Sequence, residues 1–283
     1  MKTKIKLSFS DFWHGFNPIN DPIFGKSLNK FFDVDYVNYG ADLHIFSIYG
    51  NEHKKHNNKK ILFTPENFYS HKYQPFDFNL GEKNLYNYAD YSITSFNIND
   101  ERNYRLPCYV RRYGFNVIED IQNRNLIDKE KKIIYLQQNC VPFRDNFVKK
   151  LQKYYDVDCP GRCNRNLNIN VDNKIDFLKK YKFVISFENS SNSGYNTEKL
   201  VDGFLSMSLP LYWGDVDVAN DFDPNSFLNY HDFENDDLFI DEILKIDSDD
   251  KRYKDMILSN PIKNKSIFDE GLFIDFMKKI LNY

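Results

Sequence analysis

Apolar residues alternate with lysine over positions 3–9 (TKIKLSF), the period-two pattern of a half-buried strand. A loop follows from Asp11 to Pro18, then a short helix over 27–32 and a strand from Val34 to Val37. The apolar runs Leu43 to Ile48 and Lys60 to Thr64 read as buried strands, and Tyr91 to Ser95 and Tyr109 to Tyr113 as two more. The polar stretch Glu119 to Lys132 is charged and poor in bulky residues, as a linker would be. Beyond it the pattern becomes regular. Ile133 to Gln137 predicts a strand, and Arg144 to Tyr155 a helix with Phe147, Val148, Leu151 and Tyr155 on one face. Lys174 to Tyr181 (helix), Phe183 to Phe187 (strand), Thr197 to Met207 (helix) and Leu209 to Trp213 (strand) continue the alternation. Such βα units imply a parallel sheet covered on both faces. Ile267 to Leu281 repeats apolar residues at Phe268, Leu272, Phe276 and Ile280. Its Asp269, Glu270 and Asp275 favour a packed terminal helix over one lying on a membrane.

Length sharpens this to about two domains, with the division expected at 125/126, giving 1–125 and 126–283. The 38 basic and 41 acidic residues nearly cancel, which argues against a nucleic-acid binder. No apolar stretch approaches the roughly 18 residues of a membrane span, and the amino terminus lacks a signal-peptide core. The expectation is a soluble, cytoplasmic protein. Cys108, Cys140, Cys159 and Cys163 are then expected as free thiols, with only a weak metal signal in the Cys159/Cys163 pair. The six histidines show no metal or triad spacing, and Asp215-Val-Asp217 lacks the acidic partners of a metal-binding DxD.

Candidate chemistry concentrates in Phe183-Val-Ile-Ser-Phe-Glu-Asn-Ser-Ser-Asn-Ser-Gly-Tyr-Asn-Thr-Glu-Lys-Leu. A strand ends, a small-residue loop follows, and a helix starts at Thr197 with Asn196 as its cap. Free N–H groups at that helix start, with Lys199, suit a phosphate, and Glu198 suits a ribose diol; together they suggest a nucleotide. The plainer alternative is that Glu198 complements the helix dipole and Lys199 is solvated. Arg162 and Arg165, in a loop rich in Gly and Asn, have the fork geometry for a diphosphate, although exposed loop arginines are common. Glu66, just after the strand ending at Thr64, could take a proton from a hydroxyl, although lone loop glutamates are usually solvated.

Taken together, FxxxFEN…GYxTEK, Pro210-Leu-Tyr-Trp-Gly214, Asp221 to Phe233 and Tyr155-Asp-Val-Asp-Cys-Pro-Gly-Arg-Cys-Asn resemble the α1,3/α1,4-fucosyltransferases of glycosyltransferase family ten, bacterial type. The resemblance implies an α/β GT-B fold, two Rossmann-like lobes with a donor/acceptor cleft between them, residues 1–125 binding acceptor and 126–283 binding GDP-fucose. It implies inverting transfer of L-fucose to the 3-hydroxyl of a GlcNAc or glucose unit in a β-galactoside-type glycan, as in Lewis-like surface glycans. Glu66 would be the general base. Arg165, with Arg162 as its substitute, and Lys199 would hold the diphosphate, Glu198 the ribose, and Asn189 and Tyr195 would line the donor site. Trp13 and His14 would contact the acceptor oligosaccharide. No resident cofactor is expected, Mn2+ stimulation being left open, and peripheral association with the inner membrane face is allowed. Two alternatives stand beside this: a GT-B transferase using another nucleotide sugar, and a glycan-binding module without catalysis.

Overall fold

In the computed structural model, described for residues 2–65 and 89–283, the chain forms two units. The first consists of Met1–Val117 and Ser266–Tyr283, the second of Ile118–Lys265.

The first unit is built on strands β1 (Thr3–Ser10), β2 (Phe32–Tyr36), β3 (Leu43–Phe46), β4 (Lys60–Thr64), β5 (Tyr91–Thr94) and β6 (Asn103–Arg105). They form one sheet in the order β2-β1-β3-β4-β5-β6, with every pairing parallel. The lysine alternation of β1 does what its period requires, burying Ile5 and Leu7 while Lys4 and Lys6 face water. All four residues of β3 are buried, consistent with a central parallel strand. The chain reaches β2 on one side of β1 and β3 on the other, so the sheet changes its direction of progress at β1/β3. Between β1 and β2, Asp21 accepts from the N–H groups of Ile23 and Phe24 and starts the turn leading into α1 (Leu28–Phe31). The strand expected at Tyr109 to Tyr113 is instead α2 (Cys108–Tyr113). Tyr109 and Val110 are buried and Arg112 is exposed, a spacing that a short apolar run leaves ambiguous. The true strand there, β6, buries no residue and so carried no apolar signal.

Helix α3 (Val117–Gln122) crosses the division between units, so the expected linker is partly helix, and its last residues enter β7 (Lys131–Ile134). The second unit adds α4 (Pro142–Leu151), β8 (Val157–Asp158), α5 (Lys174–Leu178), β9 (Tyr181–Phe187), α6 (Lys199–Leu205), β10 (Leu209–Trp213) and β11 (Leu228–Asn229). Its sheet, also parallel, has the order β11-β10-β9-β7-β8. Every residue of the central β9 is buried. Phe183, Ile185 and Phe187 pack with Phe147, Val148 and Leu151 of α4, while Val184 joins Ile134 and Leu178 in a separate cluster. Helices α7 (Asp236–Ser248) and α8 (Asp250–Leu258) close the unit and were not anticipated. Their starts are acidic and Asn-rich and resemble loops, yet Asn235 and Asp249 are N-caps, accepting from the N–H groups of Leu238 and Arg252.

The terminal helix α9 (Glu270–Leu281) corrects the expected domain assignment. It was placed with the second domain, but Ser266–Tyr283 belong to the first unit, and the division falls between Val117 and Ile118 rather than at 125/126. The physical reason is its apolar face. Phe273, Ile274, Met277 and Ile280 are buried, and the Phe273 ring lies 5.4 Å from Tyr104 and 5.8 Å from Phe115. Among the described residues no helix is long and apolar enough to cross a membrane.

Candidate functional site

In a parallel sheet, loops beyond the carboxyl ends of strands are where ligands are met. In the second unit, β9 ends at Phe187 and is followed by Glu188, which is fully buried. Its Oε1 accepts from the Thr197 N–H and from Thr197 Oγ1, both at 2.8 Å, and its Oε2 accepts from Lys199 Nζ at 2.7 Å. Lys199 Nζ also donates to Thr197 Oγ1 at 2.7 Å. Room for Glu188 depends on Gly214 after β10: a Cβ there would lie 2.4 Å from Glu188 Cγ and 2.9 Å from the Tyr212 hydroxyl. The Glu188 N–H completes the junction by donating to the Trp213 carbonyl at 2.7 Å.

The small-residue loop 189–196 is tied to this junction. Ser191 Oγ donates to the Gly214 carbonyl, the Gly194 N–H to Asp215 Oδ1, and Ser193 Oγ to Asp217 Oδ2. The DxD-like pair therefore acts on the loop. Helix α6 begins at Lys199 with Glu198 at its cap position, two residues later than expected. Asn196 is not the cap: its Oδ1 accepts no hydrogen bond among the described residues, and Glu188 takes the Thr197 N–H. Asn196 is buried, and neither end of its amide has a hydrogen-bond partner among the described residues.

Sequence reasoning missed Arg144. It lies in the first turn of α4, where a cation opposes the helix dipole, yet it is 1% exposed. Its Nη1 donates to the Phe187 carbonyl at 3.0 Å and lies 3.4 Å from Gln137 Oε1, and its Nη2 donates to the Asn139 carbonyl. Its Nε has no partner, and among the described residues the guanidinium forms no ion pair. The signal was in the periodicity: Arg144, Phe147, Val148 and Leu151 lie on the buried stripe of α4, so this arginine points inward. Burial works to lower the pKa of Lys199, but the charges of Glu188 and Glu198 outweigh it and raise the value, while Arg144 opposes them. The end of β9 thus holds the buried Arg144 guanidinium, which meets no carboxylate among the described residues, and the part-buried Lys199, countered by Glu188 and by Glu198 at 3.9 Å; an arginine left without a countercharge favours an anion.

The other sequence candidates divide. Glu198 sits 3.9 Å from both Lys199 and Lys174, beside the cluster. Tyr195 is buried in the same loop, and Asn189 is exposed, accepting from Ser190 Oγ. Arg165 is exposed and bonds Asn168 Oδ1; with Arg162 it lines a groove shared by Gln138, Gly161 and Asp172, and neither Glu198 nor Lys199 lines that groove. In the first unit, Trp13 follows β1 among Phe12, Phe16 and Tyr49, with the Arg111 guanidinium 4.3 Å from its ring; His14 is exposed. Glu66 lies outside the described residues, as does His71.

The cysteines require a correction. Cys140 and Cys163 are joined by a disulfide, and Cys108 and Cys159 remain outside one. Two backbone segments meet closely here: a Cβ on Gly161 would come within 2.3 Å of the Gln137 carbonyl oxygen. The pairing also removes Cys163 as a partner for Cys159, whose thiol is pushed up to about 12, chiefly by burial, and is poorly suited to metal binding.

Residues 126–257 match the family model described as "Glycosyltransferase family 10 (fucosyltransferase) C-term", and residues 7–112 match "Alpha-(1,3)-fucosyltransferase FucT N-terminal domain". The chain is 40% identical over 145 residues to the Helicobacter pylori protein named alpha-(1,3)-fucosyltransferase FucT, a stretch covering 50% of this chain and 30% of that protein. It is 33% identical over 164 residues to GDP-fucose protein O-fucosyltransferase 3 of Xenopus tropicalis, covering 52% and 35% respectively. The matched stretch thus spans about a third of each of these relatives. A crystal structure of an alpha1,3-fucosyltransferase with GDP-fucose superimposes with a TM-score of 0.82 at 23% identity, covering all of this chain and 92% of that one. That likeness shows the fold, the GT-B type with two parallel-sheet α/β units. With the two matched models accounting for most of its length, the chain belongs to glycosyltransferase family 10.

Proposed function

We propose that this chain is a GDP-fucose-dependent α1,3-fucosyltransferase that moves L-fucose, with inversion, to the 3-hydroxyl of a GlcNAc or glucose unit in a β-galactoside-type, Lewis-like surface glycan. The observation that carries the proposal is the buried guanidinium of Arg144 on the Phe187 carbonyl at the end of β9, the strand whose following segment also sets Lys199 on Glu188. A departing GDP carries a diphosphate whose charge grows as the bond to the sugar breaks. Cations fixed in place before reaction stabilise that charge without reorganisation, each contact contributing on the order of 3 kcal/mol.

In the step we infer, Glu66 takes the acceptor hydroxyl proton, the oxygen bonds to C1 of fucose, and the bond from C1 to the diphosphate oxygen breaks. GDP leaves against Arg144 and Lys199. The buried guanidinium, which forms no ion pair among the described residues, is better placed for this role than the exposed Arg165. Glu198 accepts from the ribose, Tyr195 and Asn189 line the donor loop, and Trp13 and His14 contact the acceptor. No resident cofactor is invoked. The setting we infer is the cytoplasm, with association at the inner membrane face, so the Cys140–Cys163 bond meets a reducing environment there.

The test is transfer from GDP-fucose, GDP-mannose and UDP-sugars to an array of GlcNAc- and glucose-containing oligosaccharides, with and without Mn2+ and EDTA. Peptide acceptors belong in the array because one relative is named for protein O-fucosylation. Transfer confined to GDP-fucose and a GlcNAc or glucose 3-hydroxyl supports the proposal. Transfer only from another donor, or glycan binding with no affinity for GDP, refutes it.

A further inference from the structure

Among the described residues the guanidinium of Arg144 has no carboxylate to aim it; carbonyl oxygens set its direction, and the turn carrying one of them is held by a covalent bond. Asn139, whose carbonyl accepts from Arg144 Nη2, is followed directly by Cys140. The Cys140–Cys163 disulfide ties this turn to the loop after β8. Three further contacts knit the same two segments: the Cys163 N–H donates to the Gln137 carbonyl at 3.3 Å, Gly161 packs on the Gln137 backbone, and Asn164 Nδ2 donates to the Asp145 carbonyl at 3.0 Å. Gln137, Asn139 and Asp145 are the residues around Arg144 itself. Cys163 is buried whereas Cys140 is exposed, so a thiol reagent can reach the bond from the Cys140 side.

We propose that the Cys140–Cys163 disulfide is a positioning element for Arg144, and that its reduction weakens the hold on the donor diphosphate without touching the acceptor. Chemically, a dithiol reductant gives two electrons and two protons, the S–S bond breaks, Cys140 and Cys163 become thiols, and the reductant closes to its own disulfide. With the tether gone, the Asn139 carbonyl is free to turn toward water and the guanidinium loses one of the contacts that aim it. This proposal rests on the donor reading above, in which Arg144 meets the diphosphate.

The experiment measures GDP dissociation constants by calorimetry for the full chain, oxidised and then reduced with dithiothreitol, with thiol counting to confirm the bond has opened. Circular dichroism fixes a temperature at which both forms are folded. Reduction is expected to weaken GDP about ten-fold, the value of one charge-assisted hydrogen bond, and reoxidation to restore it. The KM for GDP-fucose should rise in step while the acceptor KM stays constant. The Cys140→Ser/Cys163→Ser pair should match the reduced chain and ignore dithiothreitol. In Arg144→Ala, already weak for GDP, reduction should change nothing further.

Equal GDP affinity in the oxidised and reduced chains overturns the positioning role. So does an equal loss on reduction in Arg144→Ala and the parent, since the bond would then act through something else. An Arg144→Ala chain that keeps the parent's GDP affinity overturns the donor reading instead, so the two failures are distinguishable.

Discussion

A guanidinium removed from water without a carboxylate loses several kcal/mol of hydration, and backbone carbonyls recover only part of it. Arg144 is in that position, with the Phe187 and Asn139 carbonyls as partners, and in the proposed reading an arriving diphosphate completes its environment. Arg144→Ala should therefore weaken GDP by about 2 kcal/mol, roughly thirty-fold, whereas Arg165→Ala should stay within about three-fold, both read by calorimetry. The reverse ranking would return the diphosphate to Arg165. Glu188 is the countercharge. Glu188→Gln removes the buried carboxylate that holds Lys199 and should lower unfolding stability by about 3 kcal/mol in urea titrations. Saturating GDP should restore more stability to that variant than to the parent. The roles proposed for Glu198 and Lys199 can be read from the TEK segment, because their types suit a nucleotide. Glu188 and Arg144 are harder to see, since one sits at a strand end and the other has the local sequence of an ordinary helix start.

At the scale of elements, period and capping carried most of the information. β4 and β10 have the bounds their apolar runs predict, and β9 is longer by its buried Tyr181 and Lys182. The misses share a cause: the local pattern was compatible with two structures and packing chose between them. Tyr109 to Tyr113 is short enough to be strand or helix, and β6 joins the sheet edge through backbone pairing alone. The terminal helix was legible as a helix, but its partner was not, because an apolar face does not say which surface it covers. Phe273 gives the test. Phe273→Ala empties a fully buried site between Tyr104 and Phe115 and should cost about 3 to 4 kcal/mol. Native-state hydrogen exchange should locate the damage: amides of β5 and β6 exchange faster while those of β9 and β10 keep their protection. Faster exchange confined to β9 and β10 would contradict the assignment of α9 to the first unit.

For the whole molecule, acid sensitivity and catalysis are the properties to measure. His44, fully buried on β3 and bonded to Ser8 Oγ at 2.8 Å and Ser10 Oγ at 2.9 Å, has its pKa held down to about 4, by burial first and then by the charge of His56. Its folded value lies below the ordinary 6.5, so between those values the unfolded chain takes up a proton that the folded chain refuses. Stability contributed by neutral His44 is therefore intact above pH 6.5 and falls as pH drops toward 4, by up to about 3 kcal/mol. Denaturant titrations at stepped pH read that slope, and His44→Gln should flatten it. Catalysis has its own test: Glu66→Gln should abolish transfer while keeping GDP affinity, and near-normal transfer would remove Glu66 as the base.

By itself the sequence determined the two parallel-sheet units, the strand-end loop where chemistry collects, and the family. Those follow from periodicity and from residue types at close spacing, both local properties of a chain. Only the tertiary structure decided that Arg144 meets the Phe187 carbonyl at the end of β9, that Cys140 finds Cys163, and that the last helix returns to the first unit. Each joins residues distant in sequence, and such pairings are set by which surfaces bury together rather than by any local pattern.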